Sequence, residues 1–556
     1  MARRRPCSAS RAWARSVFAP CWRTASRRTR PCPTAVSRLK RRHALALPLL
    51  PLAACQRPSR GLDVAWLGPD PARAHALRAA APKGSARQRR AQVVVVGAGV
   101  AGLTAARLLR ARGVDVALIE WDLQAGGNSQ GGQVRGLPCP LGAHYLPQPG
   151  TELPELQDLL VELGAAQRVA GRWQAHEALQ VHAPSERLYD GHAWQPGLLP
   201  PTEDAAALAQ RRRFALRVRE AQRRIGFGLP THRAPWTPAH AALDAEPFDA
   251  WLHREGLDEP GLRWYLDYCC RDDYGAGSAT VSAWAGLQYF ASRHGFHAPG
   301  DEDDDPHAAA PPVLTAPDGN AWLVRGLARE LGESLHLQRL AVQLDEERHG
   351  VRLRCIGPDG LEEWRAAQAI VATPLFIAQR LLRQPPAALS AVALPRAPWL
   401  VANLWLDGPL APRVGAPAAW DNVVRDSPTL GYVNAQHQSL DPRPGPQVLS
   451  LYWALPQADR QRLLDAPASA WADRAVAALT PTHPDLLQRL QAVRLTRWGH
   501  AMAVPVPGVR AQVAQGALAA LRSARGRVRF AHADLAGYSV FEEAFYAGRA
   551  AAAGLA

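Results

Sequence analysis

In the body of the chain, the clearest apolar run is residues 93–96, where four valines follow Gln92. A short β-branched run of this kind predicts a strand that is buried on both faces of a parallel sheet. After a glycine-rich loop, Leu103, Ala106 and Leu109 repeat at helical spacing, and residues 115–120 contain a second apolar run. Strand, helix and strand in this order predict a βαβ unit of an α/β fold.

The loop between the first strand and the helix carries three glycines at the spacing of a dinucleotide-binding turn. Its sequence is Gly97-Ala98-Gly99-Val100-Ala101-Gly102. The first glycine permits the tight turn, the second lets a pyrophosphate approach the backbone, and the third lets the helix pack closely on the strand. The helix N-terminus adds free N–H groups and positive dipole. Glu120 ends the second strand, 21 residues after Gly99, where a carboxylate can accept hydrogen bonds from ribose hydroxyls.

The residues that follow Glu120 indicate which dinucleotide is bound. Residues 121–129 contain the pair Gly126-Gly127 followed by Asn128. This segment resembles the extended motif of the superfamily of flavin amine oxidases, protoporphyrinogen oxidase and phytoene desaturase, in which the glycine pair abuts the FAD pyrophosphate. The family usually has Arg where Asn128 stands.

Further segments resemble the same superfamily in the same order along the chain. They are residues 141–145, near the flavin ring, 318–331, 337–342, whose backbone meets adenine, 369–374, and 528–551, the closing strand and helix. In the last segment Asp534 stands where the family has a Glu that faces the ribityl chain and phosphate. His532 and Glu543 occupy positions that the family usually gives to glycine.

The resemblance implies a Rossmann-like FAD/NAD(P)-binding domain interleaved with an α+β substrate domain, and FAD as the cofactor. We expect the FAD-binding domain at residues 91–150, 313–375 and 495–556, and the substrate domain at residues 151–312 and 376–494. The implied cofactor-binding residues are Gly97, Ala98, Gly99, Val100, Ala101, Gly102, Glu120, Gly126, Gly127, Asn128, Gly142, Ala143, Ala341, Asp534 and Val540.

Residues 497–508 resemble the Trp-containing strand that approaches the reactive face of the flavin in this superfamily. Together with the 141–145 segment, they make His144, Trp498 and His500 the candidate catalytic residues beside the ring. The resemblance implies an FAD-dependent oxidoreductase that transfers hydride from an amine or an unsaturated apolar substrate to flavin N5. The alternative is a flavin-binding protein without net redox chemistry, an isomerase or an assembly module.

The lysine content of the chain bears on how the reduced flavin is reoxidised, because amine oxidases of this superfamily use a lysine to hold water against flavin N5. The counterpart strand here is residues 399–407, and the lysine would stand near Val401 or Ala402. The only lysines of the chain, however, are Lys40 and Lys83. We therefore expect slow reoxidation by oxygen, and predict a small-molecule substrate with an electron acceptor other than oxygen.

The substrate-side segments leave alternatives open. Seven arginines in residues 211–225 accompany an apolar stripe that includes Phe214 and Val218, which predicts a basic amphipathic helix. It is either a solvated face packed by its stripe or a surface for anionic partners. Aromatic residues crowd residues 264–290, either as core packing or as the walls of a substrate site.

The excess positive charge of the chain lies in its N-terminal segment. The 556-residue chain has a net charge of +16, but residues 1–90 hold 21 basic and 2 acidic side chains, so the remainder has a net charge of −3. We therefore expect no nucleic-acid partner. No apolar run reaches the length of a membrane-spanning helix.

This basic leader resembles an export signal. The pair Arg41-Arg42, the apolar residues 44–54 and the lipobox-like ending at Cys55 predict twin-arginine export of residues 1–55, with lipidation of Cys55 as a membrane anchor. Residues 56–90 are predicted to be a linker. A basic tail on a cytoplasmic protein is the alternative.

Overall fold

Four consecutive valines form the centre of a parallel sheet, as their pattern predicts. The computed structural model describes residues 61–78, 84–293, 295–298, 313–439 and 443–555. Val93–Val96 is at most 4% exposed, and strands flank it on both sides. The sheet has five parallel strands, in the order Leu335–His336, Val116–Ile119, Val93–Val96, Gln368–Val371 and Val528–Phe530. The predicted α/β fold class is confirmed.

Two helices pack backbone to backbone beside this sheet. Val100–Ala111 begins directly after the glycine-rich turn, and Phe541–Ala552 lies against it. A Cβ atom at Gly548 would lie 2.3 Å from the carbonyl oxygen of Ala101. At Gly102 it would lie 1.8 Å from the carbonyl oxygen of Gly97, so this close approach requires glycine.

A four-stranded sheet corrects the prediction of a linker at residues 56–90. Arg87–Arg90 pairs in parallel with Gly360–Ala366, from Glu362 to Arg365. Backbone hydrogen bonding therefore ties this basic segment into the body of the protein. The order of the sheet is Leu340–Glu347, Gly350–Gly357, Gly360–Ala366 and Arg87–Arg90.

A mixed eight-stranded sheet forms the second large layer. Its edge strand Asp63–Trp66 also comes from the predicted linker and pairs with Leu490–Ala503. That 14-residue strand crosses the predicted domain boundary between residues 494 and 495. The order is Asp63–Trp66, Leu490–Ala503, Arg396–Leu406, Gln447–Ala454, Tyr432–Asn434, Asp421–Val424, Glu186–Tyr189 and Trp194–Pro196. Three hairpin-sized sheets pair Leu146–Pro147 with Val313–Leu314, Gly131–Val134 with Leu137–Pro140, and Ala166–Val169 with Arg172–Ala175.

The remaining α-helices cover the sheets and connect their strands. They are Pro71–His75, Pro154–Glu162, Ala205–Glu220, Pro238–Asp244, Phe248–Arg254, Pro260–Tyr274, Ala283–Ala291, Ala321–Ala328, Leu375–Leu381, Ala387–Ser390, Arg460–Asp465, Ala468–Leu479, Leu486–Arg489, Val509–Gln515 and Ala517–Arg522. None of the helices in the described ranges is long and apolar enough to cross a membrane.

The predicted basic helix is Ala205–Glu220, continued by the π-turn Ala221–Ile225. Its stripe residues Phe214 and Val218 are buried in the main core, which favours a helix packed by its stripe. One of its arginines, Arg211, is itself buried. The predicted signal, Cys55 and the lysines lie outside the described residues.

Candidate active site

A cavity of about 470 Å³ lies where the glycine-rich turn of the parallel sheet faces the eight-stranded sheet. Its lining contains most of the residues predicted to hold a cofactor and all three catalytic candidates. The predicted residues that line it are Gly97, Gly99, Val100, Ala101, Glu120, Gly126, Gly127, Asn128, Gly142, Ala143, His144, Trp498, His500 and Val540. Ala98, Gly102, Ala341 and Asp534 lie outside the lining.

The glycine-rich turn leaves an open edge where it meets the cavity. Gly97 has a φ of +99°, a left-handed conformation that favours glycine. A Cβ atom at Gly99 would meet no atom within 4 Å. Gly99 also caps the helix Val100–Ala111 without any side-chain hydrogen bond, so no side chain blocks the helix N-terminus. This open helix end fits a pyrophosphate group.

Glu120 is held at the cavity by two backbone donors. Its Oε2 accepts a hydrogen bond of 2.7 Å from Ala98 N, and its Oε1 accepts one of 3.0 Å from Asp122 N. Ala98 thus lies behind the lining and positions the carboxylate. Burial raises the pKa of Glu120 to about 7, although both backbone donors favour its ionised form. Each oxygen retains a lone pair that can accept from a ribose hydroxyl.

The glycine pair and Asn128 close the next part of the wall. Gly126 N donates to the carbonyl oxygen of Ala98 at 2.8 Å. Asn128 Nδ2 donates to the carbonyl oxygen of Ala501 at 2.7 Å, and the carbonyl oxygen of Asn128 accepts from Ala143 N at 2.7 Å. A Cβ atom at Gly142 would lie 2.2 Å from that carbonyl oxygen. Asn128 therefore ties three segments of the wall together.

Asp534, which the resemblance implies as a cofactor contact, lies outside the cavity lining, so that contact stays a prediction. Asp534 is fully buried outside the lining, pairs with Arg396, and accepts a hydrogen bond of 2.8 Å from Leu375 N. Burial by itself would raise the pKa of this carboxyl, but its interactions with His532, Arg396 and the N–H of Leu375 hold it below its usual range. His532 Nδ1 accepts from Asp534 N at 3.1 Å. Asp534 therefore anchors the segment behind the cavity wall.

Ala341 also lies outside the cavity lining. It is 9% exposed and packs in the core beneath the four-stranded sheet, in the strand Leu340–Glu347. Its proposed backbone contact with adenine stays a prediction.

Glu543, in a position that the family usually gives to glycine, faces away from the cavity. Its Oε1 accepts hydrogen bonds from Thr231 N at 2.6 Å and from the Tyr538 hydroxyl at 3.1 Å. Glu543 is absent from the lining, whereas its neighbours Phe541 and Glu542 are part of it. The departure therefore serves the packing of the 231 segment rather than altering the cavity.

The three catalytic candidates line the far part of the cavity. Trp498 Nε1 donates to the carbonyl oxygen of Leu141 at 2.7 Å. The His500 ring stacks on Phe376 with centroids 4.7 Å apart, and the His144 ring stacks on Tyr452 at 4.1 Å. Burial lowers the pKa of His144 to about 3, and burial with nearby arginines lowers that of His500 to about 4. Both imidazoles are therefore neutral at pH 7.

Aromatic side chains do line the cavity, but they come from other segments than residues 264–290. The lining includes Tyr145, Trp399, Tyr452, Trp498 and Phe376. The aromatic residues of 264–290 are packed in or against the main core, so that cluster is core packing.

A group of polar residues at one end of the cavity was missed by the sequence reasoning. Its members are Tyr145, Asp272, Asp273, Arg293, Asn320 and Glu542. Arg293 pairs with Asp273 at 3.3 Å and with Glu542 at 3.6 Å. The sequence signal for this polar group is the Asp272-Asp273 pair inside an aromatic helical segment, because charged side chains are rarely buried unless they are paired.

Comparison with known proteins agrees with this geometry. The model of the flavin-containing amine oxidoreductase family matches residues 100–556. The chain belongs to this family. The family's cofactor, FAD, fits the open turn and the Glu120 carboxylate, and FAD is the cofactor of this chain. No curated protein matches the chain in sequence.

Solved structures share the fold of the chain at low sequence identity. A putrescine oxidase with bound putrescine is 17% identical with a TM-score of 0.63, and the match covers 84% of this chain and 99% of the oxidase. Cyclohexylamine oxidase from Brevibacterium oxydans IH-35A is 18% identical, with a TM-score of 0.56 and coverage of 84% and 98%. A CLA-producing fatty acid isomerase from P. acnes is 14% identical, with a TM-score of 0.58 and coverage of 83% and 97%.

Proposed function

We propose that the chain oxidises an amine that binds as an ammonium ion, loses one N–H proton to solvent and then transfers hydride from the C–H bond beside the nitrogen to FAD, leaving an iminium ion. The observation that carries this proposal is the charge of the inner cavity. Asp272, Asp273 and Glu542 line it together with a single arginine of that polar group, Arg293. Carboxylates in excess over cations, beside aromatic faces, suit a cationic nitrogen better than an unsaturated apolar chain.

Different residues of the cavity would bind different parts of FAD and of the substrate. The turn of Gly97 and Gly99 would hold the pyrophosphate, and Glu120 would hold the ribose. When bound, FAD supplies the acceptor for one hydride, that is, for one proton together with two electrons. Tyr145, Tyr452 and Trp498 line the cavity and would confine the substrate there and help to exclude water from the reacting carbon.

We infer that the electrons leave to an acceptor other than oxygen. Val401, near which the amine oxidase lysine is expected, lines the cavity and is 1% exposed. The chain contains no lysine after Lys83. An apolar valine cannot hold a water molecule by hydrogen bonding as an ammonium does.

Asn128, His532 and Glu543 depart from the family pattern near the predicted cofactor segments, and such departures would favour the non-redox alternative. Each of these side chains has a structural partner: Ala501 for Asn128, Asp534 for His532 and Thr231 for Glu543. None of the three departures therefore argues for a loss of redox chemistry. The redox proposal accounts for the acidic cavity, which an isomerase of apolar chains does not require.

Anaerobic mixing of the purified flavoprotein with a panel of primary amines, secondary amines and polyenes tests the proposal. We expect amines to bleach the flavin absorption near about 450 nm, and polyenes to leave it unchanged. Reoxidation by a quinone should then be faster than by oxygen. Bleaching by polyenes alone would support desaturation, and a flavin that none of the donors reduces would support the non-redox alternative.

We also propose that the protein works after export, in the periplasm or anchored to a membrane through Cys55. The support for this is the Arg41-Arg42 pair followed by an apolar segment that ends at Cys55. A protein that folds around FAD before export gives a physical reason for a route that carries folded proteins.

A further inference from the structure

Asp272 differs from the two other carboxylates at its end of the cavity. Arg293 lies within ion-pairing distance of both Asp273 and Glu542. In the described part of the chain, no arginine lies within ion-pairing distance of Asp272, and the Tyr145 hydroxyl donates its one side-chain hydrogen bond, at 3.1 Å. Asp272 lines the cavity and keeps intermediate exposure although it lies deep in the protein.

The helix that carries Asp272 makes the unpaired charge less favourable still. Asp272 lies in the last turn of Pro260–Tyr274, where the helix dipole is negative. A carboxylate in that place is stabilised by a cation, and the described side chains do not supply one within ion-pairing distance.

Charged and titratable groups face Asp272 from several elements. Asp273 and Arg271 flank it on its own helix, and Arg293 and Tyr145 face it from two other segments. It also interacts with Asp421 and Tyr268, and with Tyr452 of the eight-stranded sheet and the buried thiol of Cys269. Burial and the charge of Asp273 raise the pKa of Asp272 to about 7, whereas the Tyr145 hydrogen bond lowers it.

The aromatic surroundings complete a site for a cation. Tyr145 and Tyr452 line the cavity with Asp272. Tyr145 lies edge-on to Trp420, a core residue outside the lining, with centroids 6.0 Å apart, and the Tyr452 ring stacks on His144. Aromatic faces attract an ammonium group through their π-electrons. Asn320 adds an oxygen: its Nδ2 donates to the carbonyl oxygen of Tyr145 at 2.8 Å, and its Oδ1 has no partner among the described residues.

We propose that Asp272, positioned by Tyr145, is the specificity-determining anion that binds the ammonium group of the substrate. This inference rests on the proposed function and names the residue that selects cations over neutral substrates. Asp273 and Glu542 pair with Arg293, so of these three described carboxylates it is Asp272 that is left to pair with the positive charge of the substrate.

A permanently charged ligand tests this without any turnover. Choline carries no titrating proton on its nitrogen, and 3,3-dimethyl-1-butanol has the same shape without the charge. We would titrate the flavoprotein with each by calorimetry between pH 6 and pH 8. Because only ionised Asp272 attracts the cation, choline affinity should rise about tenfold over this range. The affinity for the neutral alcohol should not change.

Three variants test whether Asp272 causes the pH dependence of the choline affinity. In Asp272→Asn, choline binding should be at least about tenfold weaker at pH 8 and independent of pH. In Tyr145→Phe, loss of the hydrogen bond raises the pKa of Asp272, so the rise in affinity should move to higher pH. Asp258→Asn serves as the matched control, because Asp258 lies just before the same helix, outside the cavity lining, and its side chain is 51% exposed. It should keep the wild-type pH profile.

The outcomes separate this inference from the function on which it rests. No choline binding by the wild type, a flat pH profile, or an unchanged profile in Asp272→Asn would each overturn the role of Asp272. Failure of amines to reduce the flavin would overturn the proposed function instead, whatever choline does. In active enzyme, Asp272→Asn should raise KM for amines with a smaller effect on kcat.

Discussion

Oε1 of Glu543 accepts a hydrogen bond of 2.6 Å from the backbone N–H of Thr231, 312 residues away along the chain. The Tyr538 hydroxyl donates to the same oxygen and also lies 2.7 Å from Thr231 Oγ1. All three side chains are buried. A residue that departs from the family pattern beside the flavin segment thus joins the C-terminal helix to a distant loop.

This bond predicts a difference between two substitutions. Glu543→Ala leaves Thr231 N buried without an acceptor, which costs about 1–3 kcal/mol. Glu543→Gln keeps an amide oxygen at the same place and should lose much less. Chemical denaturation of both variants measures the difference in unfolding free energy. Equal losses would show that the hydrogen bond is not the source of the stability.

Gly99 and Gly102 should respond differently to the same change. At Gly99 a Cβ atom meets nothing within 4 Å, so Gly99→Ala should fold normally but hinder the pyrophosphate, weakening FAD binding at least about tenfold. At Gly102 the Cβ atom would lie 1.8 Å from the carbonyl oxygen of Gly97, so Gly102→Ala should destabilise the fold itself. Flavin titration and thermal unfolding of the apoproteins distinguish the two. Normal FAD affinity in folded Gly99→Ala would contradict the placement of the pyrophosphate.

We expect the buried His144 to make the folded chain less stable in acid. Burial lowers its pKa from 6.5 to about 3 in the folded chain, so between these values the unfolded chain binds the extra proton. Stability contributed by neutral His144 is therefore complete above pH 6.5 and is lost as the pH falls. His144→Phe keeps an aromatic ring against Tyr452 and removes the titration. Its Tm should fall less between pH 7.5 and pH 5 than that of the wild type, and an equal fall would be evidence against a buried neutral His144.

We expect export of the chain to require the Arg41-Arg42 pair. Replacing Arg41 and Arg42 together with lysine should leave unprocessed precursor in the cytoplasm, because the twin-arginine route reads the pair itself. Arg38→Lys, just upstream in the same basic segment, is the matched control and should be exported normally. Cell fractionation with detection of the chain measures both. Unchanged export of the double variant would rule out the twin-arginine route.

The sequence predicted residues that the structure places in one cavity wall, because its signals there are local. The turn from Gly97 to Gly102 and the carboxylate of Glu120 lie within one βαβ unit, where neighbours along the chain are neighbours in space. Their positions in the cavity wall follow from that proximity. The cofactor contact of Asp534 stays a prediction, because its side chain pairs with Arg396, a residue of the distant eight-stranded sheet.

The linker prediction was wrong for a similar reason. The composition of residues 56–90 indicated no fold, yet Asp63–Trp66 completes a sheet whose neighbouring strand is more than 400 residues further along the chain. A strand at a sheet edge needs only a partner with free hydrogen-bonding groups, and composition does not show where that partner lies.

By itself, the sequence determined the α/β class, the FAD fingerprint, the family resemblance and the absence of a lysine after Lys83. These properties depend only on short segments of sequence or on residue composition. Only the tertiary structure decided that Arg293 pairs with Asp273 and Glu542 while Asp272 keeps no cation within ion-pairing distance among the described residues. The balance of charge inside a cavity depends on which distant side chains meet there, and that is settled by packing.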